Sequence, residues 1–218
     1  MNYIEKIHNK DYQKKKKDYS FFENEKRFEI LEDLILHQHP ERVLDIGCGS
    51  GYLAFLLKQK NPHVFIHGFD LSSEGLKMAE HIDKKYKLDI NYQNIPENDN
   101  FYDIVVCSEV LEHLINVRHC LTEINRILKK EGELIVTVPN FSFWRFRVDS
   151  LRGRIPYIVS DERHLQTFNK KTLTKILNEG GFRVLRLLGS RVRLKSLLRI
   201  SASLFSETLI IIATKNKP

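Results

Sequence analysis

The sequence predicts an α/β fold in which helices cover both faces of a parallel β-sheet. Short apolar runs alternate with amphipathic helical segments from Arg42 onward, and parallel neighbouring strands need such helical crossovers. The run Asp103–Cys107 is almost uninterrupted in apolar residues, as expected of a strand buried on both faces at the centre of a sheet. A chain of 218 residues fits one domain of this kind.

The individual elements follow from periodicity. The predicted strands are apolar or alternating runs, namely 42–46, 64–69, 89–93, 103–107, 134–138, 182–188 and 208–214. The predicted helices carry apolar residues at helical spacing and start at Asn24, after Gly51, at Ser72, at Val117 and at Asn169. The segment 24–39 is therefore a leading helix, and the order that follows it is strand, helix, strand, helix.

Composition narrows the class of protein. With 42% hydrophobic and 29% charged residues, the chain is typical of a globular protein. It has neither a membrane-spanning apolar stretch nor the pattern of a signal peptide, so a cytoplasmic location is expected. The three cysteines are odd in number and match no zinc pattern, which predicts neither disulfides nor a metal.

Positive charge is concentrated in a few places. The net charge is +7, and the basic stretches are 14–17, 145–154 and 191–199. An anionic partner such as nucleic acid, phospholipid or a phosphorylated metabolite fits this charge, and so does a solvated basic surface.

Two segments interrupt the α/β alternation. Residues 140–167 are long, aromatic and basic, which is typical of a lid or substrate-binding insertion, although the aromatic residues could also be ordinary core. Residues 190–206 form a basic insertion with apolar residues among the cations. That pattern fits contact with an anionic membrane surface, and it also fits packing on the protein's own core or on a second subunit.

The first apolar strand leads into a glycine-rich turn. Gly47, Gly49 and Gly51 allow the backbone to turn tightly and to approach a ligand closely. Asp45 precedes the turn and Asp70 ends the second strand, so both lie where open α/β sheets bind ligands. Asp70 could accept hydrogen bonds from both hydroxyls of a ribose, or it could cap the next helix. The pattern predicts a nucleotide-type ligand.

These residues also carry a resemblance to a known family. Val43–Gly51 (VLDIGCGSG) resembles the first motif of the class I S-adenosylmethionine (SAM) dependent methyltransferases, and Ser108–Leu114 (SEVLEHL) is similar to their motif after the fourth strand. The resemblance runs from about residue 42 to 214 and is to the branch of the ubiquinone, menaquinone and polysaccharide-cluster methyltransferases. It implies a Rossmann-like three-layer sandwich whose seven-stranded sheet has an antiparallel last strand. It also implies one domain over residues 1–218, with residues 1–38 as a helical extension.

The resemblance assigns roles to residues of this chain. It implies that the methionine part of SAM lies against Asp45 and the turn of Gly47, Cys48, Gly49 and Gly51. The ribose lies on Asp70 beside Leu71, and the adenine near Asn94 and Ile95. Asn94 stands where family members commonly have Asp, so it keeps an acceptor oxygen but lacks the charge.

The remaining candidate residues are expected to lie near the transferred methyl group or the acceptor. Ser108 and Glu109 follow the central strand and are predicted to meet the methionine end or the acceptor. His113 and His164 are candidate bases, because a neutral imidazole accepts a hydroxyl proton near neutral pH; a histidine bonded to the backbone is the alternative. The predicted substrate-binding residues come from the insertion and are Asn140, Trp144, Arg147 and Tyr157.

The expected function is transfer of a methyl group from SAM to an oxygen of a small acceptor, leaving S-adenosylhomocysteine. A sugar or polysaccharide precursor, a quinone-like compound or another hydroxylated metabolite fits, and the arginines of the insertion would suit an anionic or lipid-linked one. The alternatives are a nucleic-acid methyltransferase, which the absence of a DPPY-like tetrad after the fourth strand disfavours, and a non-catalytic SAM-binding regulator. A monomer and a homodimer are both open, as is peripheral membrane contact.

Overall fold

The computed structural model describes residues 3–14, 25–190 and 201–216 and confirms the predicted α/β fold. Within these residues the strands are β1 Arg42–Ile46, β2 Phe65–Asp70, β3 Lys84–Lys87, β4 Tyr102–Ser108, β5 Leu128–Pro139, β6 Phe182–Ser190 and β7 Thr208–Lys215. The α-helices are α1 Tyr3–Lys14, α2 Lys26–Leu36, α3 Tyr52–Lys60, α4 Ser73–Met78, α5 Val117–Ile127, α6 Trp144–Leu151, α7 Tyr157–Ser160 and α8 Lys170–Glu179, with a 3₁₀ helix at Leu111–His113.

The strands form one seven-stranded sheet in the order β3-β2-β1-β4-β5-β7-β6. Strands β1 to β5 run parallel to one another, whereas β7 runs antiparallel to both β5 and β6. The antiparallel last strand that the resemblance implied is therefore confirmed. Because β1 lies between β2 and β4, the residues that follow these three strands meet at one edge of the sheet.

Each face of the sheet has its own apolar core. On one face α2 and α3 pack through residues such as Leu31 and Leu57 against β1 and β4. On the other face α5 and α8 pack through Leu121 and Leu173. These stripes arise because apolar residues recur every three or four positions along each helix. The result is the three-layer sandwich that the alternation of elements predicts.

The prediction of a strand at 89–93 is wrong. β3 covers Lys84–Lys87 instead, at the edge of the sheet, where three lysines are tolerated because the strand pairs only with β2. Asp89 is already in a turn, since its Oδ1 accepts a 3.1 Å hydrogen bond from the amide of Asn91. An exposed edge strand contains few apolar residues, so its sequence does not stand out. The residues after it alternate between polar and apolar, which is also typical of a strand.

The structure describes parts of the amino-terminal extension and of the two insertions. Helix α1 lies over the carboxyl edge of the sheet, where Oδ1 of Asn9 accepts a 2.7 Å hydrogen bond from Ser72 Oγ and Lys87 pairs with Glu5. The insertion 140–167 contains α6 and α7. Of the basic stretches, 15–17 and 191–200 lie outside the described residues, and 201–205 is helical. Among the helices described here, each is too short or too polar to span a membrane.

Candidate active site

The turn after β1 has the backbone that its glycines permit. Gly47, Gly49 and Gly51 all have positive φ angles, of 70°, 53° and 78°. A β-carbon on Gly47 would lie 2.4 Å from Cγ2 of Val110, so a side chain there would be strained and would collide. The amides of Gly47 and Cys48 donate to the carbonyl of Phe69, which ties the turn to the end of β2.

Asp70 is the acceptor that organises this edge. Its Oδ2 accepts a 2.8 Å hydrogen bond from the amide of Gly49, and its Oδ1 accepts a 2.7 Å bond from the amide of Ser72. Ser72, rather than Asp70, caps α4, because the Ser72 hydroxyl accepts from the amide of Gly75. The carboxylate of Asp70 is therefore held in place beside the glycine turn.

A cavity of about 870 Å³ opens beyond the carboxyl ends of β1, β2 and β4. Although the whole chain carries a net charge of +7, the cavity wall is rich in acids. Eight of its residues carry carboxyl groups: Asp11, Glu25, Asp45, Asp70, Asp89, Glu109, Glu112 and Asp161. Two carry guanidinium groups, and both are engaged, because Arg27 pairs with Glu25 and Arg163 pairs with Asp11 and Asp161. The same ion pairs offset Glu25, Asp11 and Asp161, and the five remaining acids make the cavity suited to a ligand with positive charge.

Most of the residues predicted from the sequence meet in this cavity. Its wall includes ten of them: Asp45, Gly47, Cys48, Asp70, Leu71, Ser108, Glu109, His113, Tyr157 and His164. Gly49 and Gly51 are part of the turn, but their atoms do not reach the wall. The tertiary structure thus brings residues that are more than 100 positions apart in the chain around one space.

Asn94 and Ile95 are not in the cavity wall. Asn94 is exposed to solvent, whereas the side chain of Ile95 is buried. The Ile95 amide donates to Glu123 and its carbonyl accepts from Arg126, so this stretch has a structural role. The wall is formed at this point by Asp89, Ile90 and Asn91. These three residues are the part of this stretch that faces the cavity, and the adenine contact expected of Asn94 and Ile95 stays a prediction.

Three of the four predicted substrate-binding residues also lie outside the wall. Asn140 is fully buried, and its Nδ2 donates 2.8 Å hydrogen bonds to the carbonyls of Ser203 and Ser206. Trp144 and Arg147 are exposed on α6. Asn140 instead joins the end of β5 to the helical residues 201–205, because its amide satisfies backbone carbonyls that would otherwise be buried without donors.

The amino-terminal helices supply residues that the sequence did not single out. His8, Asp11 and Tyr12 of α1 line the cavity, together with Arg27 and Phe28 of α2. A β-carbon on Gly49 would lie 2.0 Å from the hydroxyl oxygen of Tyr12, so α1 rests directly on the glycine turn. No motif marks these residues, since their role depends on how α1 packs across the sheet edge.

Burial changes the acidity of two carboxyl groups at the floor of the cavity. Burial, and then the nearby carboxylate of Asp70, raise the pKa of Asp45 to about 8. Burial also raises the pKa of Glu109, whose Oε1 accepts a 3.0 Å hydrogen bond from the hydroxyl of Thr137. The Thr137 hydroxyl donates its only hydrogen to Glu109, so it accepts the second hydrogen bond from the hydroxyl of Ser108. A positively charged ligand would favour the ionised form of both acids.

Two histidines and a glutamate form the far wall. Nδ1 of His113 bonds the carbonyl of Arg163 at 2.9 Å, and Nδ1 of His164 bonds the carbonyl of Ile158 at 2.8 Å. A carbonyl only accepts, so both Nδ1 atoms carry hydrogen and each neutral ring has its lone pair at Nε2. The two ring centroids are 5.1 Å apart. Burial lowers the pKa of His113 to about 4, so this ring is neutral at pH 7.

Glu112 completes this wall. It is 2% exposed, and among the described residues neither carboxyl oxygen has a hydrogen-bond partner. Burial, and then Glu109, raise its pKa well above the usual range. Glu112, His113 and His164 each offer one atom within 4.8 Å of the others, a spacing at which a divalent cation could be held. The sequence predicts no metal, and these three groups are where that prediction can be tested.

Comparison with known proteins agrees with this arrangement. The profile of the methyltransferase domain family matches residues 21–187. The chain belongs to the class I SAM-dependent methyltransferases. The chain is 36% identical over 105 residues to a demethylmenaquinone methyltransferase of Thermotoga maritima, and 32% identical over 118 residues to a ubiquinone biosynthesis O-methyltransferase of Rickettsia typhi. These matches cover 48% and 51% of the chain.

The same relatives are matched over only about half of their own length, 46% and 47%. A solved structure described as a SAM dependent methyltransferase from Archaeoglobus fulgidus superposes on 91% of the chain with a TM-score of 0.66, and the match covers 100% of that structure's own chain. The sequence identity there is 21%, so that likeness concerns the fold.

Proposed function

We propose that this methyltransferase binds SAM in the 870 Å³ cavity and transfers its methyl group to a hydroxyl oxygen of a small acceptor. The observation that carries the proposal is that the glycine turn and Asp70 open into a cavity lined by eight carboxyl groups in an otherwise basic chain. SAM carries a positive sulfonium and a positive ammonium group. An acid-lined cavity attracts both, and it disfavours a nucleic-acid phosphate backbone.

The cofactor would lie along the edge of the sheet. The methionine end faces Asp45 and the turn of Gly47–Gly51, where the Asp45 carboxylate can receive the ammonium group. The ribose hydroxyls bond Asp70, and the adenine lies against Asp89, Ile90 and Asn91, which take the place that Asn94 and Ile95 were expected to fill. This order leaves the sulfonium near Ser108 and Glu109, at the carboxyl end of β4.

The acceptor would enter between the sulfonium and the histidine wall. SAM held in the cavity would supply an activated methyl group, which the acceptor's oxygen would take as the carbon–sulfur bond breaks and S-adenosylhomocysteine leaves with both electrons of that bond. The hydroxyl proton passes to a neutral imidazole, for which Nε2 of His113 or His164 is free to accept. Holding the two reactants in line can be worth about 7 to 11 kcal/mol.

The class of acceptor follows from the wall and from the named relatives. Both guanidinium groups of the wall are already paired with carboxylates, so the reacting end of the acceptor is uncharged. A quinone-like ring with a hydroxyl group suits the apolar and histidine-lined space, and two relatives are named for menaquinone and ubiquinone biosynthesis. A hydroxylated sugar precursor is the other acceptor that fits.

The direct test combines cofactor binding with product identification. Calorimetry should show SAM and S-adenosylhomocysteine binding at one site per chain. Protein incubated with methyl-labelled SAM and fractionated cell extract should then label a small hydroxylated compound, identified by mass spectrometry. An absence of SAM binding would overturn the proposal, whereas binding without any labelled product would favour a regulatory role.

Asp70→Asn tests the contact with the ribose, and Asp99→Asn is its matched control. Asp70→Asn keeps the size of the side chain but removes the charge, so SAM affinity should fall by about 1 to 3 kcal/mol if this carboxylate holds the ribose. Asp99 is exposed and pairs with Arg126, and neither residue lines the cavity. Asp99→Asn should therefore leave SAM affinity unchanged.

A further inference from the structure

The insertion contains a folded segment with its own small core. Phe143, Phe146 and Ile158 form an apolar cluster separate from the two cores of the sheet. The ring of Phe146 contacts Phe143 at 5.3 Å and Tyr157 at 5.4 Å between centroids, which joins α6 to α7. Residues 144–159 are thus held as a unit, here named the α6–α7 segment.

Exposed large apolar side chains are concentrated in this segment. Eleven such residues are exposed in the described chain, and five of them lie within these sixteen positions. The five are Trp144, Leu151, Ile155, Tyr157 and Val159, with Leu151 exposed to 88% and Ile155 to 73%. Scattered apolar residues at a surface are ordinary, but a cluster marks a contact site.

Cations lie among these apolar residues. Arg145, Arg147, Arg152 and Arg154 are all exposed, and none of them pairs with a carboxylate of a described residue. The segment contains one acid, Asp149, so its formal charge is +3. Exposed apolar side chains next to free guanidinium groups are the composition of peptides that lie in the interface of an anionic bilayer.

We propose that the α6–α7 segment docks on an anionic lipid bilayer. A nucleic acid would use the four arginines but would leave Leu151 and Ile155 exposed to water. A second copy of the chain, related by twofold symmetry, would bring the arginines of one copy toward those of the other without acids to offset them. A bilayer with anionic headgroups satisfies the cations and buries the apolar side chains together.

The position of the segment connects this surface to the cavity. Tyr157 belongs to the segment and also lines the cavity, and its hydroxyl donates a 2.8 Å hydrogen bond to Glu207. Docking would therefore place the acceptor side of the cavity close to the membrane. Resting on the proposed methyl transfer, the inference assigns a lipid-linked molecule with a hydroxylated headgroup as the acceptor class.

Vesicle flotation tests the docking without any cofactor or acceptor. The full chain is mixed with vesicles of phosphatidylcholine containing 30 mol% phosphatidylglycerol, with vesicles of phosphatidylcholine alone, and with the anionic vesicles in high salt. We expect flotation with the anionic vesicles at low salt, and little with the other two. Arg145→Glu combined with Arg147→Glu should lower the partition coefficient by about thirtyfold or more, and Leu151→Ser combined with Ile155→Ser by about tenfold.

Matched controls decide whether the segment is responsible. Arg183→Glu with Arg186→Glu reverses two exposed charges on β6, and Ile115→Ser removes an apolar residue that is 61% exposed elsewhere. These variants should float like the unmodified chain, and circular dichroism should show that every variant is folded. The proposal would be overturned if the segment and control variants lost flotation equally, or if the chain bound neutral and anionic vesicles equally. It would also be overturned if the chain were a dimer that only the segment variants dissociate. Since flotation needs no SAM, its result is independent of the proposed methyl transfer.

Discussion

The backbone amide of Gly49 donates a 2.8 Å hydrogen bond to Oδ2 of Asp70, so the glycine turn after β1 and the carboxylate that ends β2 form one unit. The same glycine supports α1, because Tyr12 lies where a Gly49 side chain would be. Changes at this position should therefore affect the turn, the acid and the covering helix together.

Gly49→Ala should weaken SAM binding at least tenfold. The positive φ of 53° strains any residue other than glycine by about 1 to 2 kcal/mol, and the new methyl group would collide with the Tyr12 hydroxyl. Calorimetric titration with SAM measures the effect. Gly153→Ala is the control, because Gly153 has a similar φ of 71° but nothing within 4 Å of its added methyl group. Equal SAM affinity in both variants would contradict the role given to this turn.

Affinity for SAM should rise as the pH increases from 6 to 7.5. Burial raises the pKa of Asp45 to about 8, so this carboxyl is mostly protonated in that range. A bound ammonium group favours the carboxylate, and binding then releases a proton, which makes affinity increase by up to about tenfold per pH unit. Titrations in buffers of different ionisation enthalpy would detect the proton. Asp45→Asn should reduce both the pH dependence and the proton release, and what remains is assigned to Glu109, whose pKa is also raised by burial.

Asp89→Asn should lower SAM affinity several-fold, whereas Asn94→Ala should not. Asp89 lines the cavity after β3, while Asn94 is exposed outside the wall. Asparagine keeps the acceptor oxygen of the Asp89 turn and removes only the charge that would receive the adenine amino group. Competition between SAM and an adenine-lacking analogue locates the effect. If Asn94→Ala weakened binding instead, the adenine would lie where the sequence first suggested.

His113→Ala combined with His164→Ala should reduce methyl transfer by about a hundredfold or more, with SAM affinity preserved. The pKa of His113 is about 4, so this ring is already neutral at pH 6 and its protonation should produce no rate limb between pH 6 and 8. Single-turnover rates across this range measure both effects. His119→Ala changes a partly buried histidine on α5 outside the cavity wall and should leave the rate unaltered. A double variant with full activity would exclude the histidines as bases.

Dialysis against EDTA should leave the methyl-transfer rate unchanged. In the proposed reaction the proton is accepted by an imidazole Nε2, which needs no cation. The groups that chelation could affect are Glu112, His113 and His164, because their spacing could hold a divalent cation. Activity is measured before and after chelation and again after adding Mg²⁺ or Zn²⁺. Loss that only a cation reverses would show that these groups are metal ligands and that the metal, not a histidine, activates the acceptor.

Local signals account for what could be predicted. The central strands were recognised because their residues are apolar without interruption, as in Val105 and Val106, and such runs leave few other conformations open. The turn at Gly47 to Gly51 was recognised because positive φ angles require glycine. Where a local signal was weak the prediction failed, and the edge strand Lys84–Lys87, with three lysines in four residues, is the example.

The sequence by itself determined the α/β order, the glycine turn, the acid at the end of β2 and, through its motifs, the family. Tertiary structure alone decided that Tyr12 covers the turn, that Asp89 rather than Asn94 faces the cavity, and that Glu112 is buried beside His164. The physical reason is the range of the interactions. Helices, strands and tight turns depend on neighbours a few residues away, whereas a cavity wall is set by packing between segments up to about 150 residues apart, such as Asp11 and Arg163.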